Sequence, residues 1–546
     1  MARRAWLRSE GFPADVFDGK PVVGICNSWS ELNNCNAHLR EVAVAVKRGV
    51  LAAGGIPLEF PTISLGEMFM LPTTMMFRNL MAMDVEESIR ANPLDAVVLL
   101  CGCDKTTPAQ LMGAASADIP TIVVPGGPML AGQFKGQRLG SGTDGRKLFD
   151  LYRTGRLTDE EWSEVEGCIA RTSGHCTVMG TASTMTSLAE ALGMTLPGSA
   201  SIPAPDSRRM AMAELSGRAA VELIEAGLTP TRIMTREAFE NAITMLMALG
   251  GSTNAVVHLI AIAGRVGIRL TLDDFDRIAR KTPCIVNVKP SGEYLMEDLF
   301  HAGGVPAVMN RVANLLHGGC VTVNGKTTAE NIEGTKSQDD KVIRSRDKAL
   351  SPEGGIAVLY GNLAPDGAVI KVTAASVELL EHRGRAHVFE TRDQMMAEID
   401  RDDLPVDRDT VLVMRNCGPK GAPGFPEWGH IPMPKKLLQQ GVTDMVRISD
   451  ARMSGTSFGT VILHVAPESL VGGPLAVVQT GDEIVLDVAA RKLELMVARE
   501  EIDRRLLAFV PPPRHYERGY GRLFLDHVTQ ANLGCDFDFL MPEVTK

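Results

Sequence analysis

The stretch Ala96-Val97-Val98-Leu99-Leu100-Cys101-Gly102-Cys103-Asp104-Lys105-Thr106-Thr107-Pro108 decides the fold of the chain. Its apolar run predicts a buried strand, and Pro108 with the small residues 109–115 predicts the start of a helix. The cysteine, aspartate and lysine at 103–105 then lie in the loop after a strand, where open α/β sheets bind ligands. A thiolate suits iron or zinc, and a carboxylate suits magnesium or manganese. By itself the stretch also fits a buried cysteine beside a solvated Asp-Lys pair.

Strands and helices alternate on both sides of this stretch. Such alternation predicts a parallel sheet with right-handed crossovers and helices packed on it. Further strands are expected at Pro21 to Cys26, Ile56 to Ser64 and Pro120 to Val124, with helices at about Asn36 to Ala53 and Thr73 to Arg90. The N-terminal part is therefore predicted to be a doubly wound parallel-sheet α/β domain with flanking helices.

The pattern changes after a polar, charge-rich segment, and we place a domain boundary near residue 350. Beyond it, short strands dominate, which indicates a β-barrel-like domain over residues 351–546, after an α/β domain over residues 1–350. These strands are expected at Gly355 to Tyr360, Ala368 to Val372, Thr410 to Met414, Met445 to Ile448, Thr460 to His464 and Asp482 to Val488, with helices at Asp393 to Ile399 and Pro434 to Leu438.

Composition narrows the classes of function. The 546 residues are 45% hydrophobic and 22% charged, and no apolar run reaches the length of a membrane span. A net charge of −10 argues against a nucleic-acid partner, which needs a basic surface. The N-terminal arginines precede no apolar signal segment, so we expect a cytoplasmic protein without a membrane partner.

The ten cysteines show neither the dense spacing of a disulfide scaffold nor a paired zinc-finger spacing. Cys35 and Cys176, like Cys103, fall in polar segments beside expected helix starts. Three such cysteines could converge on an iron-sulfur cluster, or they could be helix-entry thiols without a ligand role. Glu67 follows a strand and could bind a metal, although a solvated carboxylate is the commoner case.

Two loops of the C-terminal part also carry chemistry. Glu427 lies in a Gly- and Pro-rich loop over 416–434, and Ser454 lies in a loop after a strand. No Gly-x-Ser-x-Gly elbow or evident His-Asp pair accompanies this serine, so a conventional serine hydrolase is not supported. The break over 250–254 could offer backbone N–H groups to an anion or could be a simple turn between helices.

Three stretches together resemble the family of iron-sulfur dehydratases that includes dihydroxy-acid, 6-phosphogluconate, pentonate and hexonate dehydratases. They are Cys103-Asp104-Lys105-Thr106-Thr107-Pro108, Ser173-Gly174-His175-Cys176 and Ser449-Asp450-Ala451-Arg452-Met453-Ser454-Gly455. The resemblance covers nearly the whole chain, and the joint occurrence of the three motifs in this order is highly specific.

This resemblance implies a set of site residues and cofactors. It implies three cluster ligands, which are Cys35, Cys103 and Cys176, and three carboxylate ligands of Mg²⁺, which are Glu67, Asp104 and Glu427. Lys105 matches a lysine that the family carbamylates to give a further ligand, because a carbamate offers oxygen donors where an ammonium would repel the cation. Ser454 matches the catalytic base, and together with Thr456 it is expected to contact substrate.

The implied reaction is β-elimination of water from a 2,3-dihydroxy acid. Magnesium would hold the carboxylate and the 2-hydroxyl, Ser454 would remove the proton on carbon 2, and an open iron would act on the departing 3-hydroxyl. The enol then becomes a 2-keto-3-deoxy acid.

Within the family, Ala451 and Met453 are more similar to the sugar-acid branch, that of L-arabinonate and D-xylonate dehydratases. That branch implies a pentonate or hexonate substrate, a 2Fe-2S rather than a 4Fe-4S cluster, and a homodimer or homotetramer. Asn34 departs from the family pattern, which often has proline there. The alternative is a dihydroxy-acid dehydratase of branched-chain amino-acid synthesis. A 6-phosphogluconate dehydratase is less favoured because no Arg and Lys cluster for phosphate stands out. A non-catalytic cluster-containing sensor would not need the serine, and iron and sulfide analysis would separate a structural zinc protein from the dehydratase.

Overall fold

A computed structural model describes residues 2–17 and 19–542 of the chain. Its N-terminal half is built on a four-stranded parallel sheet in the spatial order β2-β1-β3-β4. Strand β3 is central and buried along its whole length, as its uninterrupted apolar sequence predicts. The strands are β1 (Val22–Asn27), β2 (Ile56–Pro61), β3 (Ala96–Cys101) and β4 (Thr121–Pro125), and a separate hairpin contains β5 (Gly132–Phe134) and β6 (Gln137–Leu139).

Helices surround this sheet, and α2 packs on α8 while α3 packs on α4. None of the helices among the described residues is long and apolar enough to cross a membrane. The helices of this half are α1 (Ala2–Ser9), α2 (Leu39–Ala52), α3 (Arg78–Ala91), α4 (Thr106–Ala117), α5 (Thr143–Arg153), α6 (Asp159–Ile169), α7 (Thr181–Ala191), α8 (Ser207–Ala226), α9 (Pro230–Ile233), α10 (Arg236–Ala248), α11 (Asn254–Arg265), α12 (Leu272–Ala279), α13 (Met296–His301), α14 (Gly304–Arg311) and α15 (Thr328–Ile332).

Two predicted helices differ from the structure at their N-terminal ends. Helix α2 begins at Leu39 and not near residue 36, because residues before it form a turn in which the Asn36 N–H donates to the Asn33 carbonyl oxygen. The helix predicted from Thr73 is divided into a 3₁₀ turn, Thr74–Phe77, and α3. The Thr73 hydroxyl caps that turn by accepting from the Met75 N–H, which explains why the helical signal starts there.

The C-terminal half contains a closed eight-stranded barrel, which confirms the predicted barrel-like architecture. Both parallel and antiparallel pairs occur in the ring, whose order is β10-β11-β12-β8-β7-β14-β13-β9. The division of the chain at residue 350 stays a prediction. The strands are β7 (Ala357–Gly361), β8 (Ala364–Ile370), β9 (Glu381–Phe389), β10 (Val411–Met414), β11 (Arg447–Ser449), β12 (Val461–Ala466), β13 (Glu483–Asp487) and β14 (Lys492–Leu495), and the helices are α16 (Arg392–Glu398), α17 (Lys435–Gln439), α18 (Arg499–Leu507) and α19 (Gly519–His527).

Two buried arginines of the N-terminal half bind the C-terminal segment over residues 534–536. Arg265 on α11 donates from Nε to Asp536 Oδ2 at 2.6 Å, and neither side chain is exposed to solvent. Arg78 on α3 donates to the carbonyl oxygens of Gly534 and Cys535. A buried charge persists only when it is paired, so these contacts fix the C-terminal segment against α3 and α11.

We expect Asp536→Asn to destabilise the protein by about 3 kcal/mol, because it leaves the buried Arg265 with a weaker partner, Glu86 at 3.3 Å. Thermal unfolding followed by circular dichroism measures the loss. The matched control is Glu483→Gln, which breaks the exposed pair with Arg383 and should change the midpoint little. Equal midpoints for the two variants would contradict this account of the C-terminal anchor.

Candidate active site

The turn between β3 and α4 holds Cys103, Asp104 and Lys105, as the sequence predicts. Gly102 makes the turn possible, since a Cβ there would lie 2.6 Å from the Cys35 carbonyl oxygen and 2.7 Å from Asn36 Oδ1. The Thr106 hydroxyl accepts from the Cys103 N–H at 3.0 Å and donates to the Cys103 carbonyl oxygen at 2.9 Å. The absent side chain at Gly102 therefore lets the segment with Cys35 lie directly against this turn.

The three cysteines predicted as cluster ligands lie in one group. The Cys35 and Cys103 thiols are within hydrogen-bonding reach, and Cys176 lies close enough to contribute to the raised pKa of Cys35. Hydrogen bonding to Cys103, together with burial, raises the pKa of the Cys35 thiol well above its usual value. Burial raises the pKa of Cys176 to about 11. Without a cation, the site thus keeps these two thiols protonated.

The sequence predicts Cys35 beside a helix start, and the structure corrects this placement. Cys35 precedes helix α2 by four residues and lies in a turn, so no helix N-terminus favours its thiolate. Its N–H donates to the Asn33 side chain instead. Cys176 likewise precedes α7 by five residues. Contacts between loops therefore bring the thiols together, and neither Cys35 nor Cys176 lies at the first residue of a helix.

Two asparagines join the segments that carry the thiols. Asn36 is fully buried; its Oδ1 accepts from the Cys103 N–H at 3.1 Å, and its Nδ2 donates to the Ser28 carbonyl oxygen at 3.0 Å. Asn34 donates from Nδ2 to the Thr172 carbonyl oxygen at 3.2 Å, and its own carbonyl oxygen accepts from the Gly174 N–H. Asn34, which departs from the family pattern, thus connects the Cys35 turn to the Cys176 loop.

The carboxylates predicted as magnesium ligands converge on the ammonium of Lys105, which is fully buried. Its Nζ lies 2.8 Å from Asp104 Oδ2, 3.2 Å from Glu427 Oε1 and 3.3 Å from Glu67 Oε2. Asp104 also lies beside the thiols, with its Oδ1 3.7 Å from the Cys103 sulfur. The carboxylate group and the thiol group are therefore adjacent, and the barrel supplies Glu427 to a site whose other members come from the N-terminal half.

The electrostatics of this group are dominated by burial and by Lys105. Burial raises the pKa of Glu67 to about 7. The positive charge of Lys105 opposes this shift, and the neighbouring carboxylates add to it. Burial also opposes ionisation of Glu427, but Lys105 and Arg452 outweigh it and hold the pKa of Glu427 near 2. The pKa of Lys105 is raised, because its three carboxylates outweigh burial and the positive charge of Arg452.

This donor set fits a divalent cation only after Lys105 changes its charge. Among residues 2–17 and 19–542, no group of three His, Cys, Asp or Glu side chains is already arranged to hold a metal ion. The lysine Nζ instead occupies the point at which the three carboxylates meet. A carbamate on the same stem would replace the positive charge with oxygen donors, which are the ligands that Mg²⁺ prefers. The oxygen-rich set suits a hard cation, and the adjacent thiols suit iron.

Ser454 and Thr456, predicted to contact substrate, lie beside this group on the loop after β11. Their hydroxyl oxygens are 3.0 Å apart. The Thr456 N–H also points at Ser454 Oγ, at 3.4 Å. Gly455 between them leaves room for the start of α7, because a Cβ there would lie 2.5 Å from the Thr181 nitrogen. The loop is thus pressed against the N-terminal half.

Two residues hold Glu427 in place and carry no predicted role. Asn254 donates from Nδ2 to Glu427 Oε1 at 3.0 Å and to the Met453 carbonyl oxygen at 3.2 Å. Arg452 donates from Nη1 to the same Glu427 oxygen at 3.0 Å. Both residues lie in stretches that the sequence analysis singled out, Arg452 in the motif over 449–455 and Asn254 at the end of the break over 250–254. Their contact with Glu427 was not predicted.

The break over residues 250–254 is a turn between helices and not an anion site. The N–H of Ser252 donates to the Thr184 hydroxyl, and the N–H of Asn254 donates to the Ser252 hydroxyl. The N–H of Gly251 is bonded to the Leu246 carbonyl oxygen. These backbone donors are therefore already used within the protein.

Comparison with known proteins matches almost all of the chain. Residues 20–331 match the dihydroxy-acid/6-phosphogluconate dehydratase N-terminal model, and residues 341–535 match the C-terminal model. The L-arabinonate dehydratase of Rhizobium leguminosarum bv. trifolii is 54% identical, over 98% of this chain and 93% of that protein. The 6-deoxy-6-sulfo-D-gluconate dehydratase of Pseudomonas putida is 49% identical, over 99% and 94%. A dihydroxy-acid dehydratase of Saccharolobus solfataricus is 42% identical, over 97% and 96%.

We expect Asn36→Leu to loosen the thiol group in the metal-free protein, because it removes the contacts that bind the Cys35 turn to the Cys103 turn. Buried polar partners left unpaired should cost about 1–3 kcal/mol. Alkylation mapped by mass spectrometry should show faster modification of Cys35 and Cys103. The control, Asn92→Leu, removes an exposed contact with the Ser88 carbonyl oxygen. Equal alkylation rates in the two variants would show that Asn36 does not position the thiols.

Proposed function

Because this chain belongs to the dihydroxy-acid/6-phosphogluconate dehydratase family, we propose that it removes water from a 2,3-dihydroxy sugar acid to give a 2-keto-3-deoxy acid. The observation that carries the proposal is that the thiol and carboxylate groups are adjacent and that the Ser454 loop is bonded to them: Arg452 donates to Glu427, and the Met453 carbonyl oxygen accepts from the same Asn254 that holds Glu427. The predicted enzyme class, a hydro-lyase, and the predicted sugar-acid branch are confirmed by the named relatives. The dihydroxy-acid dehydratase alternative has less support, since that relative is the more distant one.

The thiol and carboxylate groups support two cofactors for the proposed reaction. Cys35, Cys103 and Cys176 would hold an iron-sulfur cluster, for which we favour 2Fe-2S over 4Fe-4S. Mg²⁺ would be held by four residues, which are Glu67, Asp104, Glu427 and a carbamylated Lys105. When bound, these groups supply positive charge beside the substrate carboxylate and its 2- and 3-hydroxyls.

Ser454 is proposed to take the proton from carbon 2 of the substrate. The electron pair of that C–H bond forms the double bond between carbons 2 and 3, while the C–O bond at carbon 3 breaks and its electron pair leaves with hydroxide. The hydroxide gains the proton that Ser454 has taken up and departs as water, which returns Ser454 to its deprotonated form. The resulting enol tautomerises to the 2-keto acid. A serine can act as base only if its oxygen is stabilised without its proton. Two donors of Thr456, its N–H and its hydroxyl, lie within hydrogen-bonding distance of Ser454 Oγ and support this role.

The assembly and compartment of the enzyme are further parts of the proposal. A homodimer or homotetramer is supported by the loop after Glu67, whose Met68, Phe69 and Leu71 are all more than two-thirds exposed. A cytoplasmic location is supported by the ten cysteines, all of which are free thiols.

The substrate class is tested by anaerobic turnover with iron and magnesium present. The panel contains pentonates, hexonates and 2,3-dihydroxyisovalerate, and the assay detects the 2-keto acid. We expect a sugar acid to give the highest kcat/KM, because a pocket for a polyhydroxylated chain contains hydrogen-bond partners that a methylated chain would leave unpaired. Preference for dihydroxyisovalerate would move the protein to branched-chain synthesis, and no turnover of any acid by protein with intact cofactors would favour a sensor.

We expect Ser454→Ala to lower kcat at least 100-fold, because the proposed base is removed. The visible absorption of the reconstituted cluster should not change, since Ser454 lies outside the thiol group. Ser345→Ala, at a half-buried position just before the 3₁₀ helix Arg346–Lys348, is the control for the substitution itself. Loss of the visible absorption in Ser454→Ala would assign the serine a structural role instead.

A further inference from the structure

Thr456 is held from several sides at the start of α5. The Thr143 hydroxyl donates to the Thr456 carbonyl oxygen at 2.7 Å. Gly142, at φ +77°, has no side chain, and a Cβ at this position would overlap the Thr456 hydroxyl. On the other side, a Cβ at Gly180 would lie 3.0 Å from the Thr456 methyl group. Only 5% of Thr456 is exposed, so its hydroxyl has a fixed environment.

Arg146, one turn into α5, is the charged group that reaches this hydroxyl. Its Nη1 donates to Thr456 Oγ1 at 3.2 Å and to the Gly142 carbonyl oxygen at 3.3 Å. None of the ion pairs among the described residues includes Arg146, and Glu427 is the acidic group that most strongly favours its charged form. An arginine that is partly buried without a carboxylate partner is uncommon, because the charge is costly to bury.

The direction of the hydrogen bonds follows from the chemistry of these groups. A guanidinium only donates, so Thr456 Oγ1 accepts from Arg146. A hydroxyl has one hydrogen to donate, and among the described residues the other hydrogen-bond partner of Thr456 Oγ1 is Ser454 Oγ at 3.0 Å. When Ser454 carries no proton, it cannot donate, and Thr456 must be the donor. The chain Arg146 to Thr456 to Ser454 therefore runs in one direction.

We propose that Arg146 is a positioning residue that acts through Thr456 and stabilises Ser454 in its deprotonated form. The inference rests on the proposed function of Ser454 as the base. Arg146 fixes the Thr456 oxygen as an acceptor, so that the Thr456 hydrogen points at Ser454. Charge-assisted hydrogen bonds are stronger than neutral ones, and donation from a cation makes the Thr456 hydroxyl a better donor.

The test is a double-mutant cycle of Arg146→Met and Thr456→Val, assayed on the best sugar acid. Each single variant should lower kcat roughly 10- to 100-fold with little change in KM. In the Thr456→Val background, Arg146→Met should have almost no further effect, since the path between the two ends is already broken. The deuterium isotope effect at carbon 2 should rise in both single variants, because removal of that proton becomes slower.

The matched control is Lys147→Met, which removes a positive charge from the next position on α5 without a contact to Thr456. Lys147 is exposed, and its ammonium lies 5.2 Å from the centre of the Phe458 ring. We expect kcat and the isotope effect of this variant to stay within a factor of two of the wild type. An equal loss in Lys147→Met would assign the Arg146 effect to net charge and overturn the proposal.

Two other outcomes would also overturn it. Additive losses in the double variant would mean that Arg146 does not act through Thr456, and a rise in KM alone would make Arg146 a substrate-binding residue. A neutron crystal structure decides the hydrogen-bond direction without turnover: the Thr456 deuterium should point at Ser454 Oγ, and a Ser454 deuterium pointing at Thr456 would contradict it. If the wild type forms no 2-keto acid, the proposed function fails, while the neutron structure still decides the arrangement of the three residues.

Discussion

The enclosure of the Lys105 ammonium by three carboxylates is the constraint on which the site depends. A fully buried positive charge persists only with close partners of opposite charge, and those partners come from three separate parts of the chain. Strand β3 places the lysine, the loop after β2 supplies Glu67, and the barrel supplies Glu427. The two halves of the molecule must therefore be in contact at this point. The hydrogen bonds of Asn254 and Arg452 to Glu427 stabilise the same contact.

Much of the fold could be predicted because its strands are continuous apolar runs. Strand β3 is the clearest case, since every residue from Ala96 to Cys101 is buried. Strand β9 was missed because its first half, Glu381 to Arg385, is charged and largely exposed, and β14 was missed because its four residues include the charged Lys492 and Glu494 and only two apolar side chains. Both take their conformation from β13, with which they pair in the barrel. Their signal lies in tertiary contacts and not in local sequence.

The site could be predicted where a motif carried it and not where a long-range contact did. Residues 103–105 follow a strand end and were found from pattern alone, whereas the roles of Glu67 and Glu427 needed the resemblance to a family. The position of Arg146 beside Thr456 could not be predicted, because Arg146 lies in a charge-rich helix in which it resembles any solvated arginine. Its contact with Thr456 forms only when α5 packs against the loop after β11. The start of α2 was misplaced for a related reason, since side-chain contacts of Asn33 and Asn36 hold a turn where helix was expected.

The placement of Glu427 has a consequence for the order in which the protein matures. The three cysteines belong to the first third of the chain, so they have left the ribosome well before the barrel exists. The carboxylate group, in contrast, is incomplete until the segment with Glu427 has been made and has docked. A nascent chain therefore presents its soft sulfur donors before its full set of hard oxygen donors. The thiol group is thus available before the barrel docks, whereas the carboxylate group is completed only by docking of the segment with Glu427.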